Sequence, residues 1–361
     1  MKYKSLLKLL TLGFSFVFIL ASCTKEGPMG PAGANGTDGT DGRDGVDGNV
    51  TCLVCHSSTT IEQKSAEFAM SEHSLGAIAV DYAGGRASCA PCHSHEQFVE
   101  TMTLGGVAGD ITNPSAWECS TCHGIHKTFE GQDFALRTTD AISPNFNKDA
   151  QGNEIVAGVT IDFNGSSNLC AVCHQSRTAE PAYAQEAPAE TFKISSTHWG
   201  PHHGPQSNVV YGIGFAEIEG SVAYPAPGSS YHMEASCTGC HMAPFSNKEG
   251  GHSFIPNLDA CIECHDAEMD DYNYGGTQTA VEEMLVELRD ELVTLGVMGG
   301  NDVDGYHVIA PATYSMLQAQ AYFNWIGLEE DRSLGVHNPK YVKALLLNTI
   351  EALKAEETAS N

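Results

Sequence analysis

The stretch from Cys237 to His265 contains two copies of one five-residue pattern, CTGCH from Cys237 and CIECH from Cys261. Four further copies, CLVCH, CAPCH, CSTCH and CAVCH, stand earlier in the chain and start at Cys52, Cys89, Cys119 and Cys170. In each copy two cysteines three positions apart can form thioethers to one porphyrin, and the adjacent histidine is then held beneath the iron. Each pattern therefore predicts an attachment site for haem c.

The cysteine count supports six such sites, because the chain has 13 cysteines and the six motifs use 12 of them. Zinc sites and thiol redox centres also use CxxC, and they are the alternatives. The predicted cofactors are six covalently attached haems. Their thioether cysteines would be Cys52, Cys55, Cys89, Cys92, Cys119, Cys122, Cys170, Cys173, Cys237, Cys240, Cys261 and Cys264. Their proximal iron ligands would be His56, His93, His123, His174, His241 and His265.

Residues 1–22 have the pattern of a bacterial export signal, with lysines followed by an apolar run from Leu9 to Leu20. That run is too short for a permanent membrane span. The ending Leu-Ala-Ser before Cys23 resembles a lipobox, which implies cleavage there and attachment of lipid to Cys23. The alternative is an ordinary signal peptide followed by a stray thiol. We expect an exported lipoprotein of the outer membrane that faces the periplasm or the cell surface.

Residues 23–50 are predicted to form a flexible tether behind the lipidated cysteine. Glycine recurs at every third position from Gly27 to Gly48, as it does in collagen. Proline occurs in this stretch only at Pro28 and Pro31, which is too little for a stable triple helix. Glycine-rich segments of this kind resemble those of Bacteroidetes-type lipoproteins, a resemblance that leaves the membrane face open.

The rest of the chain offers only about 50 residues to each predicted haem. We therefore expect the porphyrins to form much of the core and the fold to be mainly α with much irregular coil. A compact multihaem domain is predicted for residues 51–270, and its irregular motif spacing disfavours a tandem repeat. Residues 271–361 are predicted to form a helical bundle that closes this domain. Its helix candidates are Ala280–Leu295, Pro311–Ile326 and Pro339–Leu353.

Ten histidines lie outside the motifs, so every iron could receive a second histidine. His126 follows His123 by three positions and could reach a neighbouring iron. His252 follows two glycines, which would let the backbone approach a porphyrin. Further candidates are His73, His232 and, among the three histidines of HWGPHHGPQ (His198, His202 and His203), His202. Weaker candidates are His95, which would point away from His93, His307, which we assign to the surface, and Met242, which is sterically poor beside His241.

Residues 197–353 resemble the pentahaem cytochrome c nitrite reductases and their octahaem relatives of the hydroxylamine oxidoreductase and tetrathionate reductase group. His232 precedes a CxxCHM motif, His252 precedes the next CxxCH, and the aromatic run Tyr322–Trp325 is followed by GVHNP with His337. The resemblance implies that His232, His252 and His337 are distal ligands. This chain lacks the CxxCK motif that usually binds the catalytic haem of those reductases, which puts a catalytic role in doubt.

The sequence favours an electron-transfer protein with redox partner proteins or an extracellular acceptor. Its net charge of -27 disfavours nucleic acid as a partner. The first alternative is a reductase of a small nitrogen or sulfur oxyanion at one open haem, with Arg137, Arg177 or Tyr211 binding the substrate. The second is a subunit of a conductive filament. Related reductases bind calcium, but no EF-hand-like loop supports a calcium site here.

Overall fold

The computed structural model describes residues 56–125, 134–265, 269–301 and 307–360. These residues are mainly helical, with long irregular segments and little strand, so the predicted fold class is confirmed. The α-helices are α1 Ser58–Phe68, α2 Glu72–Leu75, α3 Ala77–Ala83, α4 Ala90–His93, α5 His95–Leu104, α6 Cys119–Cys122, α7 Ser167–Cys173, α8 Gln206–Tyr211, α9 Ser236–His241, α10 Thr277–Thr294, α11 Met316–Asp331 and α12 Pro339–Ser360. Single 3-10 turns lie at Asn145–Asn147, Tyr231–Met233, Gly251–Ser253, Leu258–Ala260 and Tyr274–Gly276.

The strands are β1 Thr191–Ile194, β2 Met298–Asn301, β3 His307–Ile309 and β4 Ala312–Ser315. They form two antiparallel pairs, β1 with β4 and β2 with β3. In the first pair Phe192 lies opposite Tyr314. This pairing ties the chain between the fourth and fifth motifs to the segment just before α11.

Four of the five described motifs lie on very short helices that contain little more than the motif itself, and the sixth motif, from Cys261, forms a turn. Helices α4 and α6 have four residues each, and the motif histidine ends the helix or follows it directly. One helical turn places cysteines three positions apart on the same face, where both thiols can meet one ligand. Ser94 then stops α4 and caps α5 by accepting a hydrogen bond from the Gln97 amide. These short helices serve the motifs rather than an apolar core.

Helices α10 and α12 agree with the helical patterns of the sequence. Helix α10 buries Val281, Leu285, Leu288 and Leu292 along one face, as the predicted stripe requires. Helix α12 begins at Pro339, as predicted, and continues past Leu353 to Ser360.

The predicted helix Pro311–Ile326 is wrong at its beginning. Residues 312–315 form β4 and pair with β1, so α11 starts only at Met316. Ser315 sets this start, because its side chain accepts from the Gln318 amide while the Gln318 side chain binds back to the Ser315 backbone. The helix ends at Arg332, whose φ of 58° closes it in the left-handed region.

The main apolar core of the described residues joins α10, α11 and α12. Tyr322 and Tyr341 are almost completely buried in it. Val209 of α8 and Phe215 belong to the same core, so the C-terminal helices share their interior with the motif-bearing segment. A smaller cluster forms around Ile161 and Phe163. Among the described residues no helix is both long and apolar enough to cross a membrane.

Two adjacent leucines of α12 test the contribution of this core. Leu346 is 0% exposed and Leu347 is 38% exposed. We expect Leu346→Ala to lower the free energy of unfolding by about 2–5 kcal/mol, because it leaves a cavity in a packed interior. Leu347→Ala makes the same chemical change at the surface and should cost well under half as much. Urea unfolding followed by far-ultraviolet circular dichroism measures both, and equal losses would contradict the placement of the core.

Candidate metal centres

Five motif histidines each face a second imidazole from elsewhere in the chain. The ring centroids lie 5.9 Å apart for His93 and His202, 6.3 Å for His123 and His252, 6.0 Å for His174 and His73, 6.4 Å for His241 and His337, and 6.2 Å for His265 and His232. We call these the five facing pairs. Each contains one motif histidine and one of the sequence candidates for a distal ligand.

The separation within the facing pairs fits one metal ion between two imidazoles. A metal–imidazole bond is about 2.0 Å long, and two such bonds plus the distances from nitrogen to ring centre span about 6 Å. Direct packing of two rings gives a wider range of separations, about 4.5–7 Å. All five pairs fall within half an ångström of one another. The ring separations are therefore those expected for two histidines on opposite sides of one iron.

Backbone carbonyls hold three of these imidazoles by the ring nitrogen Nδ1. His123 Nδ1 lies 2.5 Å from the Phe134 carbonyl oxygen, and His241 Nδ1 lies 2.8 Å from that of Phe254. His232 Nδ1 lies 2.6 Å from the Val336 carbonyl oxygen. A carbonyl can only accept, so the proton sits on Nδ1 and leaves the Nε2 lone pair for a metal.

Side chains orient two more of the rings, and a third ring lies beside a carboxylate. Asp331 Oδ1 lies 2.6 Å from His337 Nδ1, and Gln206 Oε1 lies 3.1 Å from His174 Nδ1. Glu67 of α1 accepts a hydrogen bond from the backbone amide of His252 at 3.0 Å, but its carboxylate is 3.6 Å from the ring. The imidazole orientation is thus fixed in most of the facing pairs before any ligand binds.

Burial keeps most of the facing imidazoles neutral near pH 7, which is the form that binds metal. It lowers the pKa of His73 to about 4, helped by the charge of His174, and it lowers the pKa of His202 to about 4, helped by Arg177. Burial also lowers the pKa of His93, His241 and His252. For His337 burial acts in the same direction, but the Asp331 carboxylate outweighs it and the pKa is raised.

The motifs themselves lie against one another. The Cys92 thiol lies 3.9 Å from the Val172 carbonyl oxygen inside the fourth motif, and the Cys237 thiol lies 4.0 Å from that of Ser167, just before that motif. Ser167 also hydrogen-bonds Ser236 at 2.7 Å, which fastens α7 to α9. The second, fourth and fifth motifs therefore form a continuous row.

The third and sixth motifs join the same row. Charge on Cys122 raises the pKa of Cys173, after the larger effects of the Cys92 contact and of burial. Burial raises the pKa of Cys240, and the nearby Cys261 and Cys264 raise it further. All ten cysteines of the five described motifs are free thiols. Every described motif is thus close to at least one other.

The remaining sequence candidates fall in different places. His95 is bound through Nδ1 to the Thr121 hydroxyl at 2.7 Å, and His203 forms an ion pair with Glu330 at 2.8 Å. His198 is exposed. Cys23, Cys52, Cys55 and His126 lie outside the described residues, so the lipid site, the first motif's cysteines and one distal candidate stay predictions.

The three residues that would bind substrate in the reductase alternative differ in their surroundings. The Arg137 guanidinium donates to the Ser120 carbonyl at 2.9 Å, and so contacts the backbone of the third motif. The Tyr211 ring packs edge-on against Phe163. Arg177 is exposed and close enough to lower the pKa of His93.

The sequence interpretation missed Glu67, Gln206 and Asp331, the side chains that orient the facing histidines. Glu67 lies 185 positions from His252, and nothing in the local sequence relates the two. Asp331 lies six positions before His337. The sequence signal for Asp331 was its position as a polar residue near His337, around the turn that follows an aromatic helix.

No family model and no curated protein sequence matches the chain. Among solved structures, the crystal structure of the outer cell wall cytochrome OcwA is similar, with a TM-score of 0.47 and 17% sequence identity. The match covers 80% of this chain and 50% of that one, so the chain corresponds to half the length of that structure.

Gly251 offers a test of how His252 is positioned. Its φ is 54°, and a Cβ there would overlap the buried Glu67 carboxylate. Gly251→Ala should push His252 away from His123. If His252 is the distal haem ligand that the sequence predicts, one iron then loses its sixth ligand, which electron paramagnetic resonance would detect as a high-spin ferric signal. Gly275→Ala is the matched control, because Gly275 has a φ of 60° but open space where the Cβ would go. A high-spin signal from both variants, or from neither, would contradict the steric argument.

Proposed function

We propose that the chain is a lipid-anchored six-haem c-type cytochrome that conducts electrons in respiratory or extracellular electron transfer. The five facing pairs carry this proposal, because each sets a CxxC motif beside two imidazoles at the separation that an iron requires. A zinc site of two cysteines and two histidines uses the same residue types, but its tetrahedral angle would bring the two ring centres to about 5 Å. All five pairs are wider than this and fit two imidazoles on opposite sides of one ion. Thiol redox chemistry requires no paired histidines.

In this proposal each haem is attached to two cysteines and held between two histidines. The facing pairs assign His202 to the haem of Cys89 and Cys92, His252 to that of Cys119 and Cys122, His73 to that of Cys170 and Cys173, His337 to that of Cys237 and Cys240, and His232 to that of Cys261 and Cys264. For the haem of Cys52 and Cys55, His56 is the proximal ligand and His126 is our candidate for the distal one. When bound, the haems supply ferric/ferrous couples, and the chain sets their spacing and burial.

The row of motifs supports conduction over storage at separate sites. The second motif contacts the fourth, the fourth contacts the fifth, and the fifth is close to the sixth. Groups attached to these motifs would lie next to one another, so an electron could pass from one to the next without leaving the protein. The chain's own contribution is to hold this order and to exclude water.

The proposed location and partners follow from the ends of the sequence and from its charge. A lipid on Cys23 would hold the protein at the outer membrane. The segment 23–50 would act as a tether that lets the cytochrome contact partners at some distance from the membrane. With a net charge of -27, the protein would be attracted to redox partners with basic surfaces or to cationic acceptors. The reductase alternative would need an open iron, and each of the five described facing pairs supplies two histidines. An open iron would therefore have to belong to the first motif.

The spin state of the purified ferric protein tests this function. We expect a mass increase that corresponds to six haems, only low-spin signals in electron paramagnetic resonance, and no carbon monoxide binding after reduction. Closed irons with two histidines can transfer electrons but cannot bind a substrate. One high-spin iron that binds carbon monoxide or nitrite in the unmodified protein would overturn the conduit function in favour of the reductase.

Removal of one proposed distal ligand tests the assignments. His232→Ala should open a single iron, because His232 supplies the imidazole that faces His265. One of the six haems should then become high-spin and bind one equivalent of carbon monoxide, while the other five keep their spectra. His198→Ala is the control, since His198 is exposed and belongs to none of the facing pairs. Carbon monoxide uptake by the control, or none by His232→Ala, would refute the pairing.

A further inference from the structure

The C-terminal end of α11 contacts two of the facing pairs at once. The Asp331 carboxylate lies 2.6 Å from His337 Nδ1. The Gln206 side chain donates to the backbone carbonyls of Glu330 and Asp331, at 3.3 Å and 3.5 Å, while its own oxygen lies 3.1 Å from His174 Nδ1. One helix end therefore connects the outer surfaces of the fourth and fifth centres.

Asp331 is held rigidly against the imidazole of His337. It is 3% exposed, so water does not screen the contact. The Ser333 hydroxyl donates to the second carboxylate oxygen and accepts from the His337 backbone amide at 3.3 Å. The left-handed Arg332 turns the chain between these partners. The ring is thus fixed with Nδ1 on the carboxylate and Nε2 towards His241.

Among the ten imidazoles of the facing pairs, that of His337 is the one with a direct carboxylate hydrogen bond within the described residues. The ring that faces it, His241, is hydrogen-bonded to a backbone carbonyl instead. Glu67 stands 3.6 Å from the His252 ring, beyond hydrogen-bond length, and its charge is balanced by Lys64 at 3.0 Å. Among the described residues, the pair of His241 and His337 therefore has a carboxylate hydrogen-bonded directly to a ring. The carboxylates near other pairs, Glu67 beside His252 and Glu330 near His202, are paired with Lys64 and His203.

We propose that Asp331 is a positioning residue that gives the haem between His241 and His337 the lowest reduction potential of the five described centres. This inference rests on the proposed function. A carboxylate that accepts a hydrogen bond from Nδ1–H makes Nε2 a stronger ligand for the metal. A stronger ligand favours the ferric iron over the ferrous iron. The centre still exchanges one electron with a reduced neighbouring haem, and no proton or group is transferred. Asp331 changes only the potential at which this occurs.

The test is a redox titration of the full six-haem protein and its Asp331→Asn variant. The amide keeps the shape and an accepting oxygen but removes the charge. We expect the reduction potential of one of the six haems to rise by about 59 mV. For one electron this is about a tenfold change in the ferric/ferrous ratio of that haem at a fixed potential. The affected haem is identified by its low-spin signal, which is the one lost in His337→Ala. Glu330→Gln is the matched control, because the adjacent Glu330 carboxylate pairs with His203 and its charge acts on His202 rather than on His337. Any shift that it causes should therefore appear in a different haem.

The opposite shift is expected from Ser333→Ala, which keeps the charge of Asp331 and removes the hydroxyl that neutralises part of it. The reduction potential of the same haem should fall, and the fall should be smaller than the rise in Asp331→Asn. If Asp331→Asn does not incorporate its haems, the sign of the Ser333→Ala shift decides the question. Unchanged potentials in folded six-haem variants, or an equal rise in Glu330→Gln, would overturn the role of Asp331 and leave the proposed function standing. A haem count below six, or an unmodified protein with open irons, would instead contradict the proposed function.

Discussion

The approach of two imidazoles from distant parts of the chain is the constraint on which the motif-bearing region depends. Four of the five facing pairs join residues that are roughly a hundred positions apart, and closing loops of that length costs conformational entropy. Little apolar surface is available locally to offset this cost, because the motif helices are as short as four residues. Under the proposed function the iron–histidine bonds would offset it, so binding of the cofactor and folding of this region would be one process.

The C-terminal helices are stabilised in a different way, and this difference explains their place in the fold. Helices α10, α11 and α12 bury a continuous set of large side chains around Tyr322 and Tyr341, which is the ordinary basis of a stable helical bundle. Asp331 is the last residue of α11, and His337 lies in the turn that follows. The helical bundle therefore presents one facing histidine directly, and the Val336 carbonyl in the same turn holds a second, His232.

The sequence was a good guide to the features that depend on local pattern. CxxCH spacing identified the cysteines and the motif histidines, and the apolar stripe of α10 predicted a helix that the structure contains. Five of the six distal candidates lie opposite a motif histidine, but the sequence could not say which faces which. The resemblance to the nitrite reductase group implied His337 as a ligand, whereas its pairing with His241 emerged only from the fold. The start of α11 was wrong because β4 is defined by a pairing with β1, which lies more than a hundred residues earlier.

The hydrogen bonds behind the rings argue that the five centres are not equivalent. His123, His232 and His241 are held by neutral carbonyls, His174 by a neutral amide, and His337 by a carboxylate. Identical CxxCH motifs would give similar iron centres if the motif alone set their properties. The differences arise instead from residues that are distant in sequence, such as Gln206 and Asp331. A row of chemically identical attachment sites can thus become a graded path for electrons, with the grading encoded in the side chains that touch the ligands from outside.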